Sequence, residues 1–258
     1  MTHPGLKERV RNGETCVGTF LLFLSGGDVV ELLVGLGFDY FILDMEHSTL
    51  DLARARETIL AARAHGLAPL VRVPELQYHL VTRLLDAGAE GIVLPRMETR
   101  AEAEGLVRCA RYRPEGERGI STFAGQNEFS HITDVPAFLA ERNRRVLLMA
   151  QIETATGVAQ REAILSTPGL DACLIGTGDL AMGLGLAGQP DHPRVLEETE
   201  KVLATASEHG LLATVPIRRP QDVAVWKQRG MKLLTLSTDG GFLSAGATPF
   251  VSAAREER

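Results

Sequence analysis

Cysteine is scarce. The 258-residue chain has three, Cys16, Cys109 and Cys173, too few for a disulfide scaffold, and the odd count leaves at least one unpaired within the chain. No apolar run approaches the roughly 20 residues needed to cross a bilayer, so no membrane role is expected. The polar start MTHPGLKERVRNGE lacks the apolar core of a secretion signal, and a reducing cytoplasm is the expected compartment. Excess positive charge is also missing. The 27 basic and 33 acidic residues leave a formal net charge of −6, so the surface exerts no long-range pull on nucleic acid or anionic lipid, although a local basic pocket for a small anion stays compatible with it. No GxGxxG follows the first apolar run, which weakens a dinucleotide-binding reading, and there is no Walker A, paired CxxC or HExxH sequence.

What is present points to one broad class. Hydrophobic residues at 45% and charged residues at 23% exclude a disordered or collagen-like chain, and a chain this long buries a core without disulfide or metal. Short apolar runs at 16–23, 40–43, 68–73, 91–94, 146–152, 171–175, 211–215 and 232–236 read as strands. Helical patterns at 28–36, 50–64, 76–85, 99–110, 135–142, one ending near 165, 193–208 and 221–229 alternate with them. Near-continuous apolar strands imply burial on both faces, as parallel sheets require. Eight βα units predict a single (β/α)8 TIM barrel over residues 1–258, with a doubly wound sheet as the alternative.

In a barrel the C-terminal strand ends converge on one mouth. The sequence LDMEH then brings Asp44, Glu46 and His47 to the rim, strand three brings Arg72, QIET brings Gln151 and Glu153, and IGTGDL brings Asp179. Two carboxylates on adjacent strands, Glu153 and Asp179, suit a hard divalent ion with waters completing its shell; an N-cap or salt-bridge role is equally open, especially for Asp179 in GDLAMGLG. His47 directly follows an acidic strand end, where Asp44 three residues earlier can orient the ring for proton transfer. Its bland alternative is a ring satisfied by local hydrogen bonds. The other histidines, from His3 at the terminus onward, have ordinary terminal, helix-end, helical or loop settings. Arg72, embedded in an apolar strand, needs an anion: either a substrate oxygen or a structural partner such as Glu46 or Asp86. The basic, turn-rich RYRPEGERG of residues 111–119 reads as a lid, an anion contact or a subunit contact.

These pieces occur in one order: GFDYFILDMEHSTLD, APLVRVP, GAEGIVLPRMET, YRPEGERG, VLLMAQIET, IGTGDLAMGLG and LSTDGGFL. Together they resemble the class II pyruvate-dependent aldolases of the HpcH/HpaI family, which embraces 4-hydroxy-2-oxoheptanedioate, 2-keto-3-deoxy-L-rhamnonate and 2-dehydro-3-deoxyglucarate aldolases. The resemblance implies a phosphoenolpyruvate/pyruvate-type barrel that reversibly cleaves a 4-hydroxy-2-oxo acid to pyruvate and an aldehyde through a metal-stabilised enolate. It implies Glu153 and Asp179 as ligands of Mg²⁺, Mn²⁺ or Co²⁺, and His47 as the acid–base residue supported by Asp44. Arg72 is implied at the enolate oxygen, with Gln151, Gly176, Thr177 and Gly178 lining the substrate. It also implies a homo-oligomer, a hexamer above all, with the C-terminal segment in subunit contacts and Asp86 at an intersubunit part of the site. A lysine Schiff base is not required, and none of Lys7, Lys201, Lys227 and Lys232 ends an inner strand convincingly. The segment 120–134 departs from the diacid-processing members and leaves the acceptor aldehyde open. The alternatives are a related lyase of malyl-CoA or citryl-CoA type, for which no adenine-binding segment is evident, and a non-catalytic binding or assembly barrel.

Overall fold

The computed structural model describes residues 4–255, so residues 1–3, including His3, and residues 256–258 lie outside the description. Nine parallel strands form the wall in the order β7-β6-β5-β4-β3-β2-β1-β9-β8. They are β1 (Cys16–Leu21), β2 (Tyr40–Asp44), β3 (Ala68–Arg72), β4 (Gly91–Leu94), β5 (Leu147–Ile152), β6 (Ala172–Ile175), β7 (Leu212–Thr214), β8 (Pro216–Ile217) and β9 (Leu233–Thr238). The expected eight strands become nine because the seventh is divided at Val215: β7 pairs with β6, and β8 pairs with β9. Pro216 has no N–H to contribute to a ladder, which suits the point where the chain changes partner. The ring therefore keeps eight positions, and residues 212–217 close it.

Strand parity divides the buried apolar residues into two cores. One face of each strand points inward: Cys16 and Phe20, Tyr40 and Ile42, Ala68 and Leu70, Val93, Leu147 and Met149, Ala172 and Leu174, and Leu233 share the interior cluster. The alternate residues, such as Phe41 and Leu43, Val71, Ile92, Leu148 and Ile152, pack outward against the helices, as period-two geometry requires. The interior is narrow. A Cβ on Gly18 would meet the Tyr40 ring at 2.4 Å, so only glycine lets that ring lie across the barrel. Its hydroxyl bonds Thr235 Oγ1 at 2.7 Å, and Thr235 in turn bonds Thr214 Oγ1 at 2.8 Å, a hydroxyl chain linking β2, β9 and β7.

Around the wall lie α2 (Gly27–Gly35), α3 (Leu52–Ala64), α4 (Tyr78–Ala87), α5 (Arg100–Ala110), α6 (Val135–Arg145), α10 (Pro193–Glu208) and α11 (Asp222–Gln228). Their starts follow local chemistry: Asp51 and Asp134 cap α3 and α6, and Thr99 forms a capping box with Glu102 at α5. The single helix expected after β5 is two, α7 (Ala155–Ala159) and α8 (Arg161–Leu165), separated at Gln160. A short α9 (Thr177–Gly183) follows β6. Two further helices have no counterpart among the expected elements. One is α1 (Leu6–Arg11), whose Leu6 and Val10 join the interior cluster and plug the barrel's N-terminal end. The other is α12 (Asp239–Arg255), largely exposed along its length.

Candidate active site at the barrel mouth

The inward parity that buries Tyr40, Ile42, Leu70 and Met149 delivers a polar residue at the end of several strands. Asp44 and Arg72 stand opposite each other in the β2–β3 register. Arg72 Nε donates to Asp44 Oδ1 at 3.0 Å, and Nη2 donates to Oδ2. Its Nη1 lies 3.3 Å from Glu46 Oε2, and the guanidinium stacks 5.0 Å from the Phe20 ring centroid. The fork fits a carboxylate bidentately. Of its five N–H donors Asp44 engages two, so part of the fork still faces the cavity.

This arrangement corrects one expectation. Asp44 does not orient the His47 ring; its carboxylate is taken up by Arg72 and by the backbone N–H groups of Glu46 and His47 at 2.9 and 3.2 Å. The neighbour of the ring is Glu46, with Oε2 3.6 Å from His47 Nε2. The structural partners proposed for Arg72 were Glu46 and Asp86; Glu46 is one of them, and Asp86 is not. His47 itself is 57% exposed and borders both the central cavity and a neighbouring one beside residues 21–25.

Across the mouth, Glu153 is 3% exposed. Its Oε1 accepts the Arg96 N–H at 2.9 Å, and its Oε2 accepts Gln151 Nε2. Arg96 adopts φ +52°, an uncommon left-handed conformation for a non-glycine residue; the bond to Glu153 helps to hold it there. A Cβ on Gly176 would stand 2.3 Å from Glu153 Oε2, so the β6 end approaches that carboxylate closely only because it is glycine. Burial pushes the Glu153 carboxyl above its ordinary range, the bonds from Gln151 and Arg96 pull it back, and the negative charges of Asp179 and Glu46 push it up again. Burial likewise raises Glu46, with Arg72 opposing. Asp179 lies in the first turn of α9, whose N-cap is Gly176, so it is not the cap residue. The Asp179 carboxylate accepts no hydrogen bond and enters no ion pair among the described residues. Two buried oxygens, Glu46 Oε2 and Gln151 Oε1, also lack hydrogen-bond partners.

His47, Arg72, Gln151, Glu153, Gly176, Gly178 and Asp179 thus surround one cavity of about 430 Å³. The family model described as HpcH/HpaI aldolase/citrate lyase matches residues 19–245, which contain all of these side chains. The chain belongs to the HpcH/HpaI aldolase/citrate lyase family. A 5-keto-4-deoxy-D-glucarate aldolase of Escherichia coli O139:H28 is 34% identical over 223 residues, 86% of either chain. The solved HpcH/HpaI aldolase from Desulfitobacterium hafniense DCB-2 has a TM-score of 0.94 at 32% identity, covering 98% of each chain. An HpcH/HpaI aldolase/citrate lyase family protein from Burkholderia cenocepacia J2315 gives 0.87 at 32% identity, over 97% of this chain and 98% of its own. As a member of the HpcH/HpaI family, the protein is a carbon–carbon lyase of the aldolase type.

Thr177 is buried beside the cavity, whereas Asp86, expected at an intersubunit part of the site, stands outside this chain's own mouth. Asp86 accepts from Arg118 Nη2 at 2.6 Å and Gln126 Nε2 at 3.3 Å, outside the residues lining the mouth. The residues of RYRPEGERG are anchored within the chain: Arg111 on Asp171 and Arg118 on Asp86, with the Arg118 guanidinium 4.6 Å from the Tyr112 ring centroid. The segment 120–134 packs over the end of α4, where a Cβ on Gly125 would meet Ala87 O at 2.5 Å. Sequence reasoning also missed mouth residues. Phe20, Pro216, Arg218, Ser237 and Thr238 line the cavity. The signal for Arg218 was the alternation running on from ATVPI, which turns it inward with Pro216 and away from Ile217.

Proposed function

We propose that this mouth catalyses the reversible cleavage of a 4-hydroxy-2-oxo acid to pyruvate and an aldehyde, with Mg²⁺, Mn²⁺ or Co²⁺ held by Glu153 and Asp179. The observation that carries the reading is the convergence of two carboxylates, a glutamine, a partly free guanidinium and an exposed imidazole on one cavity in a chain of this family. The residues fit a hard cation. Glu153, Asp179 and Glu46 concentrate negative charge, and Glu46 Oε2 and Gln151 Oε1 are buried oxygens without a hydrogen-bond partner. Among the described residues no group of three or more His, Cys, Asp or Glu side chains is placed to hold a metal ion, so the proposed ion rests on two protein carboxylates.

When bound, the ion polarises the 2-oxo group and offsets the charge that develops as carbon 3 becomes nucleophilic. The chain does the rest. Arg72, held rigid by Asp44, presents its remaining N–H groups where the enolate oxygen develops, a preorganised positive dipole in a half-dry site. Gln151 orients Glu153 through its amide. The His47 imidazole takes the C4 hydroxyl proton in cleavage and returns it in addition, with Glu46 Oε2 3.6 Å from its Nε2. Lys7 is the buried lysine of the set, at the opposite end of the barrel and paired with Asp171, so it offers no Schiff-base nitrogen to the mouth.

Assembly enters the same reading. The exposed apolar side chains of α12, with Phe250 80% and Leu243 71% exposed, support a homo-oligomer, a hexamer above all, in which this helix and Asp86 meet neighbouring subunits. The cytoplasm is the proposed compartment, supported by three free thiols; no described helix is long and apolar enough to cross a membrane. Proton NMR of pyruvate in D₂O tests the chemistry without an acceptor. Loss of the methyl signal with diamagnetic Mg²⁺, stopped by a chelator, is expected. An inert methyl group, together with no pyruvate released from 4-hydroxy-2-oxo acids, would refute the assignment.

A further inference from the structure

Two arginines reach the cavity, and their charges are handled differently. Arg72 is matched by Asp44 and Glu46. Arg218, just beyond β8, has no carboxylate within ion-pair distance among the described residues; its one side-chain bond runs from Nη1 to Thr177 Oγ1 at 3.1 Å. The adjacent Arg219 shows what neutralisation looks like here: it is paired with Asp191 and with both oxygens of Asp222. The Thr177 hydroxyl, on a buried residue, tethers the Arg218 guanidinium without cancelling its charge. Nη2 stands over Gly178, where even a Cβ would come within 3.3 Å, so the missing side chain leaves the guanidinium its place against the start of α9.

We propose that Arg218 is a specificity-determining residue that pairs with a carboxylate of the substrate. The inference rests on the aldolase reading and extends it to recognition. A guanidinium is strongest when two N–H groups meet a planar anion, and Arg218 has donors unclaimed by any acid, at the edge of a cavity whose other free charges are negative. A divalent ion on Glu153 and Asp179 offsets part of the negative charge of the Glu46, Glu153 and Asp179 carboxylates, and Arg218 adds a further cation for an anionic substrate at this edge. Two carboxylates can answer the description: the C1 carboxylate common to pyruvate and the 2-oxo acid, and a distal carboxylate on the acceptor aldehyde.

The test compares wild type, Arg218→Gln and Arg218→Lys, all checked for an unchanged circular dichroism spectrum and Tm. Pyruvate methyl exchange in D₂O, which needs no acceptor, reads the first carboxylate. Addition of succinic semialdehyde against butanal, at saturating pyruvate, reads the second. Losing one charge-assisted contact costs about tenfold or more. A pyruvate KM raised about tenfold in Arg218→Gln with kcat retained, partly rescued in Arg218→Lys, identifies the C1 carboxylate. An unchanged exchange reaction, with kcat/KM reduced for succinic semialdehyde but not butanal, identifies the acceptor. If both KM values and the aldehyde preference stay as in wild type, or kcat alone falls in both arms, Arg218 does not read a carboxylate. Calorimetric titration of wild type and Arg218→Gln with oxalate and, separately, succinate in the presence of Mg²⁺ gives a binding readout independent of turnover. Weaker binding of either dianion by the variant supports the pairing even if wild type fails to exchange pyruvate, which would refute the aldolase reading alone; equal binding of both overturns it.

Discussion

The two ends of the barrel use the same residue types to opposite effect. At the N-terminal end, Lys7, Arg11 and Arg111 converge on Asp171, whose second oxygen also accepts the Leu148 N–H at 3.0 Å. Lys7 and Arg111 further donate to backbone carbonyls, and α1 plugs the barrel beneath them. Nearly every donor there has an acceptor. At the C-terminal end Asp179 and much of Arg218 are unclaimed, and Glu153 is held by neighbours too weak to offset its burial. A barrel end whose charges are closed among themselves serves stability; one whose charges remain open serves chemistry.

Breaking the open end should erase activity and spare the fold. Glu153→Gln with Asp179→Asn is expected to abolish divalent-cation binding by calorimetric titration, and with it pyruvate proton exchange. Tm should drop by no more than about 4 °C, because a cluster of like charge is being relieved; equal metal affinity in the double variant would remove these residues from the metal site. His47→Ala should keep metal and pyruvate binding and slow retro-aldol cleavage by about 10²–10⁴-fold, the usual range for a general acid–base group. A wild-type cleavage rate would hand that proton to another group.

The closed end should fail in the reverse sense. Asp171→Asn leaves three cations around a neutral side chain, and breaking a buried ion pair costs about 3–5 kcal/mol. Tm is expected to fall by about 10 °C, while kcat per folded molecule holds below the transition; a selective loss of kcat would contradict the division of labour. The smallest effect concerns the buried thiols. Burial pushes Cys16 up to about 11 and Cys173 up to about 12. Because these values are raised in the fold, their contribution is intact below the unfolded thiol's range and is lost as pH climbs through it. Stability should decline by about 1 kcal/mol per buried thiol one pH unit above 9. Denaturant titrations at pH 8 and 10, compared with Cys173→Ala, measure the difference.

Much of this architecture was legible in the residues. The expected 193–208 helix is found unchanged as α10, because Pro193 pre-sets the first turn and a periodic stripe runs to its end. Alternation along apolar strands also directs Arg72, Gln151 and Glu153 to one mouth. What failed was lateral information. The partner of Asp44 is decided by its register against Arg72 on the next strand, which no spacing within LDMEH reveals, so the ring of His47 seemed the nearer claimant. The split at Val215 is likewise a property of two neighbouring strands. Arg218 sits in the polar run RRPQ and reads as loop, and α12 begins in the glycine-rich DGGF and contains Pro249, both poor helix signals.

The divided seventh strand separates two parts of the mouth mechanically. Because β7 answers to β6 and β8 answers to β9, the short piece that carries Pro216 and Arg218 can change its side chains and pitch while the β6 end, with Gly176 and its close approach to Glu153, stays in place. Carboxylate recognition by Arg218 and the Glu153 carboxylate thus stand on separate staves of the same cask.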